Sequence, residues 1–305
     1  MTDNAIEIKK LRKIYDNKFE ALKGINLNIP KGSFYGLLGP NGAGKTTTIG
    51  AISGLVNYKD GNISVMGYDN KKDYKITRNL IGLSPQELNF DVFFPIKKVL
   101  EFQAGYYGLS FKEAKEQSEI MLEQFGLKEK QNNACRELSG GMKRRLQIAK
   151  ALVHNPEILI LDEPTAGVDI ELRHMLWDFL KKINKQGKTI LLTTHYIEEA
   201  EKLCDYITII NDGKIIKSDT KENLLKVIGK KTVSFVLEKQ LNDTPIQLKE
   251  FNPIIETDKL LLHYDKNKNK LKELITILND NRITFNEINT YESDLEDVFL
   301  ELIKK

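Results

Sequence analysis

The sequence has no apolar run long enough to cross a bilayer, and it has only two cysteines. Its longest purely apolar runs, such as "ILIL" at 158–161, span a few residues, whereas a membrane helix needs about 20. The start, "MTDNAIEIKK", has no apolar segment behind its charges, so no secretory signal is expected. Cys135 and Cys204 lie far apart without metal-ligand spacing, which predicts ordinary cytosolic thiols.

A basic extension, an internal repeat and sustained heptads are also missing from the sequence. The net charge is only +3, and acidic and basic residues are nearly equal in number after residue 220. We therefore expect no basic tail that binds nucleic acid. With 305 residues, of which 41% are hydrophobic and 29% charged, it is long enough for one large folded domain and a smaller one.

Residues 1–220 alternate between short apolar segments and helical patterns. The apolar segments are "SFYGLL" before Gly39, "LIGLS" before Pro85, "EILILD" before Glu163 and "KTILLTT" before His195. Nearly continuous apolar strands that alternate with helices predict an α/β fold with a mostly parallel sheet. A mostly helical insertion is predicted from about residue 90 to 135, and to about 155 when the next helix is included.

The pattern of strand-like and helix-like segments changes after residue 220, and it predicts a small α+β domain at residues 221–305. The segments "KTVSFVLEK" and "KLLLHYDK" are typical of strands, and "NKLKELITILNDNRI" predicts an amphipathic helix. The apolar face of that helix would contain Leu271, Leu274, Ile275 and Leu278. A last helix, "SDLEDVFLELIKK", is predicted at 293–305. The linker has no run of proline or glycine, so the boundary near residue 220 is defined only to within several residues.

The segment "GPNGAGKT" satisfies the phosphate-loop pattern G-x-x-x-x-G-K-[ST] between a strand and a helix. Its glycines allow backbone N–H groups to turn toward phosphate oxygens, and the helix dipole adds to that attraction. Lys45 can reach the β- and γ-phosphates, and the Thr46 hydroxyl can ligate magnesium. The alternative is a glycine-rich turn that matches by chance. The predicted nucleotide-binding residues of this segment are Gly39, Pro40, Asn41, Gly42, Ala43, Gly44, Lys45, Thr46 and Thr47.

Two adjacent acids, Asp162 and Glu163, follow a predicted buried strand in "ILILDEP". In open α/β sheets ligands bind at the carboxyl ends of strands, so this edge can meet the phosphate loop. We expect Asp162 to hold magnesium, directly or through water, and Glu163 to polarise the attacking water as general base. The alternative is an aspartate that caps a helix and has a solvated neighbour.

Two further polar residues, Gln86 and His195, also follow apolar strands. The glutamine could coordinate magnesium or the lytic water, and the histidine could donate a hydrogen bond to the γ-phosphate. Each residue alone is more typical of a structural role. A functional role is favoured because both are expected at the same sheet edge. The other three histidines, His154, His174 and His263, show no such placement.

The predicted helix that begins at "LSGG" has a second glycine-rich start. Ser139, Gly140 and Gly141 offer a hydroxyl, close backbone approach and free N–H groups, which together favour an anion. The alternative is a serine N-cap on a helix whose arginines are merely solvated. Because no second nucleotide loop accompanies this start, such a half-site makes sense if it completes a nucleotide bound elsewhere.

With these motifs in order, residues 1–220 resemble the ATP-binding subunits of ABC transporters. The motifs are "GPNGAGKTT", Gln86, "LSGGM", "ILILDEP", "AGVD" and His195. The resemblance implies a P-loop NTPase fold that binds and hydrolyses ATP with Mg²⁺. It also implies a head-to-tail homodimer in which Ser139, Gly140 and Gly141 contact the γ-phosphate held by the opposite subunit.

The same resemblance implies roles for three further parts of the chain. Tyr15 would stack on adenine, with a strand residue in the core as the alternative, and Asp169 would lie in the loop that couples the two sites. At position 142 the ABC family most often has glutamine, whereas this chain has Met142. The difference alters no atom that would bind phosphate. The segment "FDVFFPIKKVLEFQAGYYGL" matches the region that docks on the membrane partner. Its aromatic residues could equally pack within the insertion; they are Phe93, Phe94, Tyr106 and Tyr107.

The small second domain is similar to that of the ATPases of bacterial multidrug and polysaccharide-type exporters, and the whole chain is similar to the YadG-type ATP-binding proteins. The resemblance implies an exporter subunit that drives a separate multi-span permease from the cytoplasmic face of the inner membrane. A non-transport ABC ATPase that acts on ribosomes or DNA is the alternative. Such proteins usually carry two cassettes or a long coiled coil, and this chain has one phosphate loop. A nucleotide-sensing subunit without turnover is disfavoured by Glu163 and His195.

Overall fold

The computed structural model describes residues 3–228, 230–239, 241, 243–265, 271–292 and 295–303, in two units, Met1–Thr220 and Lys221–Lys305. The strands of the first unit are β1 (Asn4–Ile14), β2 (Glu20–Pro30), β3 (Phe34–Leu38), β4 (Asp60–Val65), β5 (Tyr68–Asp69), β6 (Ile81–Ser84), β7 (Ile158–Asp162), β8 (Thr189–Thr194), β9 (Tyr206–Asn211) and β10 (Lys214–Thr220). Its helices are α1 (Lys45–Ile52), α2 (Tyr74–Leu80), α3 (Ile96–Tyr106), α4 (Phe111–Gln124), α5 (Gly140–Leu152), α6 (Ile170–Lys185) and α7 (Ile197–Leu203).

A six-stranded sheet of order β10-β9-β3-β8-β7-β6 lies at the centre of the first unit. Its strands β3, β6, β7, β8 and β9 run parallel, and β10 pairs antiparallel with β9. Every residue of β3, β7 and β8 is buried, as expected for parallel strands covered on both faces. The predicted mostly parallel α/β sheet is confirmed, and the strands before Gly39, Pro85, Glu163 and His195 all end at one edge.

The apolar pattern of the sequence does not predict a second, antiparallel sheet of order β2-β1-β4-β5. Its strands mix charged and amide side chains with apolar ones, so buried and exposed positions alternate along them. Ile6, Ile8 and Leu22 of this sheet share a core with Tyr35 and Ile160 of the central sheet. This packing places the loop after β1 next to α1, to which it is hydrogen-bonded.

The predicted helical insertion, about residues 90–155, contains α3, α4, α5 and two short 3₁₀ turns. α4 begins with a capping box, in which Ser110 accepts a hydrogen bond from the Glu113 N–H and the Glu113 carboxylate accepts one from the Ser110 N–H. At the start of α5, Ser139 accepts a hydrogen bond from the Met142 N–H. Ser139 is therefore the N-cap of α5, in agreement with the alternative interpretation of this residue as a serine N-cap.

Some of the aromatic residues near α3 pack within the unit and others do not. Phe94 meets Phe102 edge to face at a centroid distance of 5.4 Å, and Tyr107 stacks on His154 at 3.5 Å. In contrast, Phe93 is 72% exposed and Tyr106 is 86% exposed. Packing thus explains only part of this aromatic cluster.

The second unit consists of α8 (Lys221–Ile228), β11 (Lys230–Leu237), β12 (Ile254–Glu256), β13 (Lys259–Asp265), α9 (Leu271–Asp280), β14 (Phe285–Glu292) and α10 (Leu295–Ile303). Its antiparallel sheet has the order β12-β13-β11-β14. On α9, Leu274 and Leu278 are fully buried, and Leu271 and Ile275 pack partly buried against the same core, as the amphipathic pattern predicts. The ends of three predicted segments, at 266, 269–270, 293–294 and 304–305, lie outside the described residues.

The imidazole of His154 gives the first unit a testable dependence on pH. Burial, assisted by the nearby Lys188, lowers the pKa of His154 from 6.5 to about 4, although its Nε2 lies 3.3 Å from the Ile81 carbonyl oxygen. The folded state keeps the ring neutral down to about pH 4, whereas the unfolded chain protonates it near 6.5. As pH falls between these values the unfolded state binds more protons, so the free energy of unfolding falls. We expect His154→Gln to remove this contribution, because an amide can keep the bond to Ile81 without titrating.

Denaturant unfolding followed by the fluorescence of the single tryptophan, Trp177, measures this effect in the first unit. Between neutral pH and about pH 5, the wild type should lose more unfolding free energy than His154→Gln does. His263→Gln, in the second unit, serves as the control and should keep the wild-type pH dependence. An unchanged pH dependence in His154→Gln would refute the titration assigned to this ring.

Candidate active site

The phosphate loop joins the buried strand β3 to α1, and glycines set its shape. Gly42 and Gly44 have φ angles of 80° and 107°, in the region that favours glycine. A Cβ at Gly39 would lie 2.2 Å from the Ile210 carbonyl oxygen, and one at Gly44 would lie 2.9 Å from the Ala21 carbonyl oxygen. Since Gly44 offers no capping side chain, the first N–H groups of α1 stay available to an anion.

The ammonium of Lys45 is buried beneath this loop, where the sequence predicts it. It donates hydrogen bonds to the carbonyl oxygens of Gly39 at 2.7 Å and Pro40 at 3.2 Å. It also lies 3.3 Å from Oε1 of Glu163, and only 5% of its side chain is exposed. A buried cation that is held by two carbonyls and a single carboxylate is well placed to bind phosphate oxygens.

Asp162 ends β7 with its carboxylate bound by two hydroxyl groups. Thr46 Oγ1 donates to Oδ2 at 3.0 Å, and Thr193 Oγ1 donates to Oδ1 at 2.5 Å. The alternative in which Asp162 caps a helix is wrong, because the next helix, α6, is capped by Asp169. Thr193 is a site residue that the motifs miss. The available signal was its position near the carboxyl end of an apolar strand.

The carboxylate of Glu163 is surrounded by the other predicted catalytic side chains. Gln86 Nε2 donates to its Oε2 at 3.1 Å, and His195 Nδ1 lies 3.1 Å from its Oε1, which also faces Lys45. Glu163 is only 5% exposed, so it is not the solvated neighbour that the structural alternative requires. Its φ of 47° lies in the left-handed region that favours glycine, a strained conformation that active sites often contain.

A cavity of about 350 Å³ lies between the phosphate loop and Glu163. Residues 41–47 and Gln86 line it, together with Phe19 from the loop between β1 and β2 and Ala21 of β2. Phe19 is 53% exposed and belongs to no motif, so pattern reasoning missed it. The cavity brings the predicted phosphate and catalytic residues together in one space.

Tyr15 lies at the border of this region. Its hydroxyl is 3.3 Å from Thr47 Oγ1, and the Lys13 ammonium sits 4.6 Å from the centroid of its ring. The ring is 38% exposed, so the alternative in which Tyr15 belongs to the core is wrong. An exposed aromatic face close to the phosphate loop is suited to a planar base.

Ser139, Gly140, Gly141 and Asp169 do not line this cavity. Ser139 and Gly140 are exposed at the start of α5, and Asp169 is exposed at the start of α6, where it accepts a hydrogen bond from the Leu172 N–H at 2.9 Å. The two helix starts are neighbours, because a Cβ on Gly141 would lie 2.3 Å from Leu172 Cδ2. Within one chain these residues form a separate exposed surface made of two helix N-termini.

Comparison with known proteins identifies the family. A family model described as "ABC transporter" matches residues 22–166. The linearmycin resistance ATP-binding protein LnrL of Bacillus subtilis (strain 168) is 36% identical, over 97% of this chain and 97% of its own. The chain belongs to the ABC transporter family. The Nod factor export ATP-binding protein I of Burkholderia thailandensis is 40% identical over 72% of each chain, and the similarity to LnrL extends over both units.

Solved structures agree with this assignment. An ATP-binding subunit of an ABC transporter superposes with a TM-score of 0.68 at 29% identity, covering 74% of this chain and 93% of its own. The ATP-binding cassette MJ0796, in a dimeric post-hydrolysis state with ADP and Pi, gives a TM-score of 0.65 at 28% identity, over 70% and 98%. The predicted P-loop ATPase fold is confirmed. The chain is an ATP-binding subunit of the ABC transporter family, and its reaction is ATP hydrolysis.

Two structural facts bear on metals and membranes. The oxygen donors near the phosphate loop are the Thr46 hydroxyl, the Asp162 carboxylate and the Gln86 amide, which suit Mg²⁺ when nucleotide phosphates complete the set. Within the described ranges, no group of three or more His, Cys, Asp or Glu side chains could hold a metal ion by itself. In the same part of the chain, no helix has both the length and the apolar character that a bilayer span requires.

Proposed function

We propose that this chain is the ATPase of an exporter, acting as a homodimer that drives a separate multi-span permease from the cytoplasmic face of the cell membrane. The observation that carries the ATPase part of the proposal is the buried Glu163 carboxylate, which borders the phosphate-loop cavity beside Lys45, Gln86 and His195. The names of the relatives, a resistance protein and an export protein, support export rather than import.

Glu163 is placed to act as general base toward the water that attacks the γ-phosphate. Its carboxylate lines the same cavity as the loop, so a water molecule held between them would be within reach of its oxygens. Lys45 and the N-terminus of α1 would stabilise the charge that develops on the phosphate, and electrostatic stabilisation of this kind commonly contributes most of the rate enhancement. His195, whose Nδ1 lies 3.1 Å from Oε1 of Glu163, would donate a hydrogen bond to the γ-phosphate.

Thr46, Asp162 and Gln86 would hold Mg²⁺ beside the nucleotide phosphates. The ion, when bound, neutralises phosphate charge and orients the transferred group. Thr193 would fix the rotamer of Asp162 through the hydrogen bond to Oδ1. Gln86 would link the metal to the general base, since its amide contacts the Glu163 carboxylate.

The ring of Tyr15 would stack on the adenine base, and this role gives a graded prediction. We expect Tyr15→Ala to weaken ATP binding about tenfold, because base–aromatic stacking contributes about 1–3 kcal/mol. Tyr15→Phe keeps the ring and loses only the hydroxyl near Thr47, so its affinity should stay within about twofold of wild type. Equilibrium titration with a fluorescent ATP analogue measures both. Equal affinities for Tyr15→Ala and wild type would remove Tyr15 from the base site.

The exposed surface formed by Ser139, Gly140, Gly141 and Asp169 would close the nucleotide site of a second copy. In an isologous dimer the same surfaces of both chains meet, so each chain must carry one of each half. This chain carries one phosphate loop and one such pair of helix starts. The dimeric state of MJ0796 supports the arrangement by analogy.

The permease would dock on the aromatic side of the helical insertion. A cavity of about 660 Å³ is lined by Gln103 and Tyr106 of the insertion and by Leu55, Tyr74 and Arg78 from the segment before it. Arg78 lies 5.3 Å from the Tyr74 ring, so the walls combine apolar area with a cation. A short helix of a membrane protein that presents apolar and acidic side chains would fit such walls.

Affinity purification of the tagged chain from gently solubilised membranes, followed by mass spectrometry, tests the proposal. We expect a stoichiometric multi-span membrane protein to co-purify, and Tyr106→Asp should reduce its yield without changing basal ATP hydrolysis. Co-purification of ribosomal proteins or DNA-repair factors without a membrane protein would support the non-transport alternative. That result would overturn the assignment as an exporter.

A further inference from the structure

One side of α5 carries a row of polar side chains that bind the loop between β6 and α3. Arg144, Gln147 and Lys150 recur every third residue, so they share a face of the helix. Arg144 Nη1 donates to the carbonyl oxygens of Pro85 at 3.2 Å and Gln86 at 3.0 Å. The predicted metal ligand Gln86 is thus held through its own backbone.

The next residues of the row extend this attachment. Gln147 Nε2 donates to the same proline carbonyl at 2.8 Å and to the Glu87 carbonyl at 2.7 Å, while its Oε1 accepts from Arg144 Nη1 at 2.9 Å. Lys150 donates to the carbonyl of residue 89 at 3.3 Å. Four carbonyl groups of one loop are therefore bound by side chains of one helix.

Arg144 also holds the backbone of the predicted general base. Its Nη2 donates to the Glu163 carbonyl oxygen at 2.6 Å, and the Glu163 N–H donates to the Thr193 carbonyl oxygen at 3.0 Å. These bonds fix both sides of a residue whose φ is 47°. A strained conformation persists only where the surroundings hold it in this way.

The burial of Arg144 contradicts the alternative of merely solvated arginines. Arg144 is only 5% exposed, and burial lowers the pKa of its guanidinium, while the carboxylates of Glu199, Asp162 and Glu163 act in the opposite direction. A buried guanidinium is costly unless its donors are bound, and here they are bound to carbonyl groups of two catalytic loops.

We propose that Arg144, supported by Gln147, is a positioning residue that sets Gln86 and Glu163 relative to each other. The inference rests on the proposed roles of those two residues, and it goes beyond them by assigning the alignment to a side chain of α5. Arg144 acts through backbone carbonyls and does not line the cavity beside the phosphate loop. Ser139 is the N-cap of the same helix. Through α5, Arg144 therefore also connects the catalytic loops of this chain to the surface that would close the nucleotide site of a second copy.

Three variants of the full-length chain test this. Arg144→Gln should lower kcat about tenfold or more, since misplacement by about 1 Å can cost as much as 100-fold, while KM for ATP stays within about threefold. Gln147→Leu removes all three hydrogen bonds of the Gln147 side chain without a change of charge and should lower kcat about threefold to fivefold. Lys143→Gln, a half-exposed position on the same helix, is the matched control and should keep the wild-type kcat.

Limited proteolysis supplies a readout that does not depend on turnover. In Arg144→Gln and Gln147→Leu, the exposed segment 86–89 should be cleaved at least about tenfold faster than in the wild type, while cleavage elsewhere in the chain keeps its wild-type rate. Wild-type kcat and a wild-type cleavage rate at 86–89 in folded Arg144→Gln would overturn the proposal. If that variant does not fold, wild-type values for Gln147→Leu would overturn it. Wild-type turnover in Gln86→Ala and Glu163→Gln would instead refute the site assignment on which the inference rests.

Discussion

Glu163→Gln should bind ATP as the wild type does and hydrolyse it at least about 100 times more slowly. An amide has the size of the carboxylate and can still hydrogen-bond to Gln86, but it cannot accept a proton from water. The change also removes the negative charge that lies 3.3 Å from the Lys45 ammonium. Phosphate oxygens then no longer compete with a carboxylate for that cation, so ATP affinity should be equal to or higher than that of the wild type.

Phosphate release at saturating ATP measures the turnover, and titration with a fluorescent analogue measures the affinity. Glu116→Gln is the matched control, because it makes the same chemical change at an exposed position of α4. It should leave both quantities unchanged. Unimpaired steady-state hydrolysis in Glu163→Gln would remove Glu163 from the role of base, and weakened ATP binding would mean that its charge supports the fold of the loop.

The central sheet and most of the phosphate site could be predicted because their signals are local in the sequence. Strands β3 and β7 are apolar runs, and in a parallel sheet the residue after each run must lie at the shared carboxyl edge. This rule alone predicts that Gln86, Glu163 and His195 lie close together. The structure adds that all three meet at one carboxylate.

What could not be predicted depends on contacts between distant segments. Phe19 reaches the cavity only because β1 and β2 pair antiparallel and pack against the central sheet. The mixed polar and apolar pattern of these two strands does not predict the antiparallel sheet that they form. Arg144 looks like any basic residue on an amphipathic helix. Arg144 is a buried donor because residues 85–89 run alongside α5. No pattern within the sequence of α5 predicts that contact.

Ser139→Arg should leave nucleotide binding largely intact and weaken ATP-dependent dimerisation about 10- to 100-fold, the cost of about 1–3 kcal/mol that excess volume imposes on a packed contact. Ser139 is exposed at the start of α5, away from the cavity of its own chain, so the substitution leaves that cavity unchanged. In the proposed dimer the same position faces the γ-phosphate held by the partner, where a long side chain would prevent closure.

The matched control for this substitution is Ser110→Arg, because Ser110 is likewise the serine N-cap of a helix, α4. Both changes remove a capping hydroxyl, at a cost of about 1 kcal/mol to the helix, so a loss due only to capping would appear in both. Light scattering in the Glu163→Gln background, where hydrolysis cannot dissolve the dimer, should show dimers with ATP for Ser110→Arg and monomers for Ser139→Arg. Normal dimerisation of Ser139→Arg would disprove the half-site, since a surface that tolerates an arginine at its centre cannot be closing on a phosphate.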